Sequence, residues 1–145
     1  MSWRTSIPES GRYSAGDAKR IVLKLSDELD ECCGIGIVIL DHADVEHAVG
    51  KSENVLIAAV TGKTVIVAAK EAVSFVMANK KPAFINILTL IVLPGSSEMS
   101  AAASANTIMF PLTAYQENYG DWLCGVTFDG NTDDFFILLV CAESA

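Results

Sequence analysis

The sequence contains few positive charges and few charges of any kind. Its 145 residues include 10 Lys and Arg against 18 Asp and Glu, which gives a formal net charge of −8. Nucleic-acid binding requires a basic stripe that neutralises phosphates, and the densest basic cluster here is the pair Lys80–Lys81. An anionic membrane surface would repel the chain for the same reason. We therefore predict that neither nucleic acid nor a membrane is a partner.

A long uninterrupted apolar segment is also missing. The longest apolar stretch, residues 83–93, is interrupted by Asn86 and Thr89, and it is much shorter than the ~20 residues that span a bilayer. Residues 1–17 lack the apolar core of a secretory signal. We therefore expect an intracellular protein that is not secreted.

The four cysteines form no C-x-x-C motif of the kind that binds zinc or transfers electrons. They lie within or beside apolar stretches, where a cysteine acts as a small hydrophobic residue. We predict that Cys32, Cys33, Cys124 and Cys141 are buried and reduced, as is usual inside cells.

Both histidines of the chain lie in one short acidic segment, residues 41–47. His42 and His47 are five residues apart, which is not the spacing that aligns two ligands on one helical face. A metal needs three or four convergent ligands, so we predict no metal centre and no cofactor. The segment is interpreted as a solvated turn followed by a short helix. As an alternative, His42, Asp44 and His47 provide acid–base chemistry.

Two further segments suggest phosphate or anion binding. "TGKT" (residues 61–64) resembles the end of a phosphate-binding loop, but position 57 is Ile where that loop requires Gly. "PGSS" precedes a predicted helix, whose free N–H groups attract anions. Gly95, Ser96 and Ser97 are therefore an alternative anion site, although Ser97 is more simply interpreted as the cap of its own helix.

Helical periodicity and β-branched runs predict the secondary structure. Apolar residues recur at helical spacing from Asp17 to Cys33, with Ser14 as the cap. Residues 1–13 are expected to form an irregular arm. A hairpin is predicted from residues 55–60 and 64–69, although a helix from Thr64 onward competes with its second strand. A second hairpin is predicted from residues 122–128 and 134–142, around a turn at residues 129–131. The remaining predictions are a helix over residues 71–80, a short helix after residue 97 and strands over residues 34–40, 83–93 and 107–115.

These elements predict one α+β domain, with a mixed α/β arrangement possible. We expect residues 1–145 to form a single sheet of about five or six strands, with two to four helices packed on it and residues 1–13 as an N-terminal arm.

Apolar residues make up 51% of the sequence and charged residues only 19%, against about 25% charged in a typical domain. The surplus apolar surface predicts contact with another subunit. We expect a non-enzymatic, self-associating structural or assembly protein, such as a component of a homo-oligomer, shell or particle. The alternative is a small oligomeric enzyme or a ligand- or metal-binding protein that uses the two candidate segments.

Overall fold

The computed structural model describes residues 3–33, 41–50, 52–79, 84–94 and 122–143. Within these residues, five strands form one mixed sheet in the order β1-β2-β5-β3-β4, and three α-helices pack on it. The predicted α+β class is confirmed. The strands are β1 (Gly11–Ser14), β2 (Asn54–Gly62), β3 (Phe84–Pro94), β4 (Trp122–Asp129) and β5 (Phe135–Glu143); the helices are α1 (Ala15–Cys33), α2 (His42–Val49) and α3 (Val65–Asn79).

The sheet buries apolar side chains on both of its faces. Alternate residues of a strand point to opposite faces, and β5 supplies Ile137 and Leu139 to one core and Leu138 and Val140 to the other. Helix α3 covers the first core, whereas α1 and α2 cover the second. All nine residues of β5 are buried. This explains why its sequence is a continuous apolar run rather than an alternating one.

Helix α1 confirms the first predicted helix. The hydroxyl of Ser14 accepts a hydrogen bond of 3.2 Å from the backbone N–H of Asp17, as expected for the residue that caps a helix. Val22, Leu25 and Leu29 lie on its buried side. This spacing of three and four residues places a single apolar stripe against the sheet.

The predicted hairpin around residues 61–63 is wrong and the competing helix is confirmed, because residues 65–69 begin helix α3. The β-branched run "TVIV" favours a strand, but the packing of this segment against the sheet stabilises a helix instead. The buried residues of α3 recur at the three- and four-residue spacing of a helix face, and "TGKT" connects β2 to this helix. Thr64 caps the helix by accepting a 3.2 Å hydrogen bond from Val67. The buried residues are Val65, Ala68, Ala69, Ala72, Val73 and Val76.

The second predicted hairpin is also wrong. Strands β4 and β5 are consecutive and extended, but β3 lies between them, parallel to β4 and antiparallel to β5. Pro94, at the end of β3, is in register with Asp129 at the end of β4. The connection over residues 130–134 therefore passes the end of β3 to reach its other side. Alternation and a turn sequence predict two strands, but they do not identify the neighbours of each strand.

The N-terminal residues are more regular than predicted. Trp3–Ser6 form a 3-10 turn, and β1 adds to the edge of β2 in antiparallel register. Arg12 binds the Glu143 carboxylate through two hydrogen bonds of 2.5 and 2.9 Å. Ser6 donates a 2.7 Å hydrogen bond to Glu28 on α1. These contacts fix the arm on its own chain.

Several predicted elements lie outside the described residues. They are the strand over residues 34–40, the helix after residue 97 and the strand over residues 107–115. Among the helices that the structure describes, none is long and apolar enough to cross a membrane.

Candidate functional site

The histidine segment forms the short helix α2, and a capping box orders its start. Asp41 accepts a 2.8 Å hydrogen bond from the backbone of Asp44, and the Asp44 carboxylate accepts a 3.0 Å bond from the backbone of Asp41. This reciprocal arrangement is a capping box, which satisfies two N–H groups at the helix start. The side chain of Asp44 therefore has a local structural role.

The two histidines lie on the exposed side of α2. His42 Nε2 is 3.1 Å from Asp27 Oδ1 on α1, and both side chains are largely exposed. Five helical residues correspond to a rotation of about 140° beyond a full turn, so His42 and His47 point in different directions. The structure therefore pairs His42 with Asp27 rather than with His47 or Asp44. The second candidate site, Gly95, Ser96 and Ser97, lies outside the described residues.

A cluster that the sequence did not predict lies where α1 ends. The ligand atoms of Cys32, Cys33 and Asp129 all lie within 4.8 Å of one another. The two Sγ atoms are 3.3 Å apart, although consecutive helical residues normally diverge by about 100°. We refer to Cys32, Cys33 and Asp129 as the thiol–carboxylate cluster.

Asp129 is the buried member of this cluster, with only 5% of its surface exposed. Its Oδ2 accepts a 2.8 Å hydrogen bond from the indole N–H of Trp3, and its Oδ1 accepts a 2.9 Å bond from the backbone N–H of Asn131. The second bond closes the "DGN" turn that the sequence indicates. The sequence indicates the turn that contains Asp129, but nothing in the sequence indicates that Asp129 lies beside the cysteines.

The four cysteines differ in environment, and the prediction that all are buried is wrong. Cys32 is exposed, Cys33 and Cys124 are half-buried and Cys141 is buried, and all four are free thiols. Burial, the neighbouring Cys32 and the charge of Asp129 raise the pKa of Cys33 to about 12. Burial raises the pKa of Cys124 to about 11, and burial also raises the pKa of Cys141.

Helix α3 presents apolar side chains to solvent as well as to the core. Among the described residues, the large hydrophobic side chains that are exposed are Ile66, at 41%, and Val67, at 48%. Lys70, Glu71 and Ser74 are exposed on the same side of the helix. We call these five residues the outer face of α3. Neighbouring large apolar side chains exposed to solvent are typical of interaction sites, so this face is a candidate contact surface.

The chain matches no protein-family model and no curated protein sequence. Its architecture, however, is found in solved structures. An FtsZ variant from M. jannaschii superposes with a TM-score of 0.55 and 20% identity over 75% of this chain. TubZ from Bacillus thuringiensis serovar israelensis, solved as GDP-form protofilaments, superposes with a TM-score of 0.59 and 10% identity over 86% of this chain. The fold is that of part of FtsZ and TubZ.

The likeness to FtsZ and TubZ covers only part of those proteins. This chain spans 33% of the FtsZ variant and 36% of the TubZ chain, which is about a third of their length. An FtsZ structure from M. jannaschii, described as an empty dimer, superposes with a TM-score of 0.54 and 19% identity. The match covers 88% of this chain and 38% of the FtsZ chain. At these identities the likeness shows the fold alone.

Proposed function

We propose that the protein is a self-associating structural subunit and that a second copy of the chain binds the outer face of α3. The observation that carries the proposal is the exposure of Ile66 and Val67, while most other large apolar side chains of the described residues are buried. Burial of apolar surface is the main driving force of protein association. The structural neighbours FtsZ and TubZ, solved as a dimer and as protofilaments, support self-association.

The charges on this face suit a symmetric pair. Lys70 and Glu71 are adjacent, exposed and of opposite sign. In a twofold contact the same patch meets itself, so residue i faces residue j and j faces i. An antiparallel pairing of two α3 helices about an axis between residues 70 and 71 places Lys70 of one copy beside Glu71 of the other. The same pairing places Val67 of one copy beside Ser74 of the other, and both positions belong to the outer face of α3.

The size of the face predicts a weak association. Fifteen residues of helix are about 22 Å long, whereas stable interfaces bury roughly 1,200–2,000 Å² in total. A contact over α3 alone is therefore concentration-dependent. A twofold contact also closes on itself, so growth beyond a dimer requires a second surface.

Sedimentation over a range of concentrations tests the proposal. The wild type is expected to sediment as a monomer of 15.4 kDa when dilute and as a dimer when concentrated. Val67→Lys places a charge on the contact and is expected to abolish the dimer. Ala43→Lys is the matched control, because Ala43 is exposed on α2, on the opposite face of the sheet. Equal weakening by both variants, or a monomer at every concentration, would refute the proposal.

Exchanging the charges of Lys70 and Glu71 tests the geometry of the proposed twofold pairing. Lys70→Glu and Glu71→Lys each place like charges together in the twofold pair, so each is expected to weaken the dimer. The double variant restores opposite charges and is expected to recover the association, since like-charge contacts across interfaces are unfavourable. Circular dichroism provides the control for folding. A double variant as weak as the single ones would exclude this pairing while leaving self-association at another surface open to measurement.

A further inference from the structure

We propose that Cys32, Cys33 and Asp129 form a binding site for one thiophilic divalent metal ion of the Zn²⁺ class. The ligand types fit this class, because thiolates and a carboxylate both bind Zn²⁺. A tetrahedral ion with bonds of about 2.0–2.3 Å holds its ligand atoms roughly 3.3–3.8 Å apart. The two Sγ atoms are already 3.3 Å apart, and the whole set lies within 4.8 Å. Small side-chain rotations therefore bring all three atoms to one ion.

The charge of Asp129 is the second observation that indicates a cation. Its carboxylate is 5% exposed, and its two hydrogen-bond donors, the Trp3 indole and the Asn131 backbone, are neutral. Within the described residues, no Lys, Arg or His forms an ion pair with it. A buried charge is costly unless an opposite charge compensates it. A metal ion at the cluster supplies that compensation.

The contacts of Asp129 also resemble the surroundings of a metal ligand. A carboxylate that binds a metal is usually held by outer hydrogen bonds that fix its orientation. Trp3 and Asn131 each use one oxygen of Asp129 and leave a second lone pair on that oxygen. Trp3 is thus a positioning residue for the site. The exposure of Cys32 leaves the fourth coordination position accessible to water.

Metal binding exchanges the protons of the two thiols for one metal ion. One Zn²⁺ and two neutral thiols form two metal–sulfur bonds and release two protons to solvent, while the Asp129 carboxylate adds one metal–oxygen bond. Two thiolates, one carboxylate and a divalent ion leave one net negative charge at the site. Metal affinity therefore rises with pH, because protons compete with the ion for both sulfurs.

Titration of the reduced full-length protein with Zn²⁺ tests the site, with Co²⁺ as a spectroscopic probe of thiolate coordination. We expect one ion per chain, release of two protons and a charge-transfer band from two thiolates. Cys32→Ser and Cys33→Ser are each expected to lower the affinity by more than about tenfold and to halve the band. Trp3→Phe is expected to lower the affinity by up to about tenfold with the band retained, because outer-shell contacts tune affinity.

Two control variants separate this site from other metal ligands. Cys124→Ser makes the same substitution at a half-buried thiol outside the cluster, and it is expected to bind Zn²⁺ like the wild type. The double variant His42→Ala/His47→Ala is expected to do the same. The proposal fails if the wild type binds no ion, if Cys32→Ser and Cys33→Ser bind as the wild type does, or if either control loses binding. Because Cys32→Ser changes an exposed side chain, folding is not at risk in that variant.

Discussion

The indole N–H of Trp3 donates a 2.8 Å hydrogen bond to Oδ2 of Asp129, which lies 126 residues further along the chain. The Trp3 ring also packs against Phe136, with ring centroids 5.3 Å apart. One side chain thus connects the N-terminal turn to the end of β4 and to the start of β5. The arm is part of the fold rather than an appendage.

Replacing Trp3 with Phe removes this hydrogen bond and leaves a smaller ring at the same buried position. Trp3→Phe keeps an aromatic ring against Phe136 but leaves the buried Asp129 with one donor fewer. A hydrogen bond to a charged group contributes about 1.5–3 kcal/mol, so we expect a loss of that size in the free energy of unfolding, measured in urea. Tyr13→Phe, which removes a hydroxyl bonded at an exposed site, is the control. Equal effects of the two variants would contradict the assignment.

The ion pair between Arg12 and Glu143 predicts that removing Arg12 alone destabilises the fold more than removing both charges does. The Glu143 side chain is 2% exposed and receives both bonds from Arg12. Arg12→Met leaves an uncompensated buried carboxylate, and we expect a loss of about 3–5 kcal/mol in unfolding free energy. Adding Glu143→Gln removes that charge, so the double variant is expected to be more stable than Arg12→Met alone. Urea unfolding of the three proteins measures this, and a double variant less stable than the single one would contradict it.

The histidines of α2 are expected to contribute little to stability. His42 and His47 are exposed, and surface substitutions usually change stability by no more than about 0.5 kcal/mol each. The double variant His42→Ala/His47→Ala should therefore melt close to the wild type. Val45→Ala, at a buried position of the same helix, should cost about 2 kcal/mol. A larger loss in the histidine variant than in Val45→Ala would give the histidines a structural role.

The cysteines are expected to be reduced in the native protein and to react at different rates. Cys32 is exposed, whereas Cys141 is buried and burial raises its pKa. Because the thiolate is the reactive form, Cys32 should be alkylated first and Cys141 only when the chain unfolds. Cys124, whose pKa is raised to about 11, should be intermediate. Mass spectrometry after timed alkylation measures the order, and labelling of Cys141 as fast as Cys32 would contradict it.

The sequence predicts those parts of the fold that depend on local periodicity. The α1 helix and its Ser14 cap follow from apolar spacing over many residues, and β3 follows from its apolar run. The start of α3 was predicted wrongly because Val65–Val67 favour a strand locally, while the packing of Ala68 and Ala72 against the sheet decides for a helix. Local preference is overridden where tertiary burial is extensive.

The partners of the strands and the candidate sites could not be predicted in the same way. Nothing in the sequence near Asp129 indicates that β3 separates β4 from β5, since pairing depends on contacts between distant segments. For the same reason, the adjacent cysteines Cys32 and Cys33 gave no sign of a third ligand. The composition of the sequence predicts that some apolar surface is exposed, but only the structure locates that surface at Ile66 and Val67.

The position of β5 has a consequence for how the protein is made. Strands β2 and β3 are both paired with β5, which follows all the other described strands in the chain. During synthesis, N-terminal segments leave the ribosome first, so the nascent chain holds two half-sheets with unpaired, strongly apolar edges until Phe135–Glu143 emerge. We expect the risk of aggregation to be greatest in this interval, because unpaired strand edges can pair with other chains.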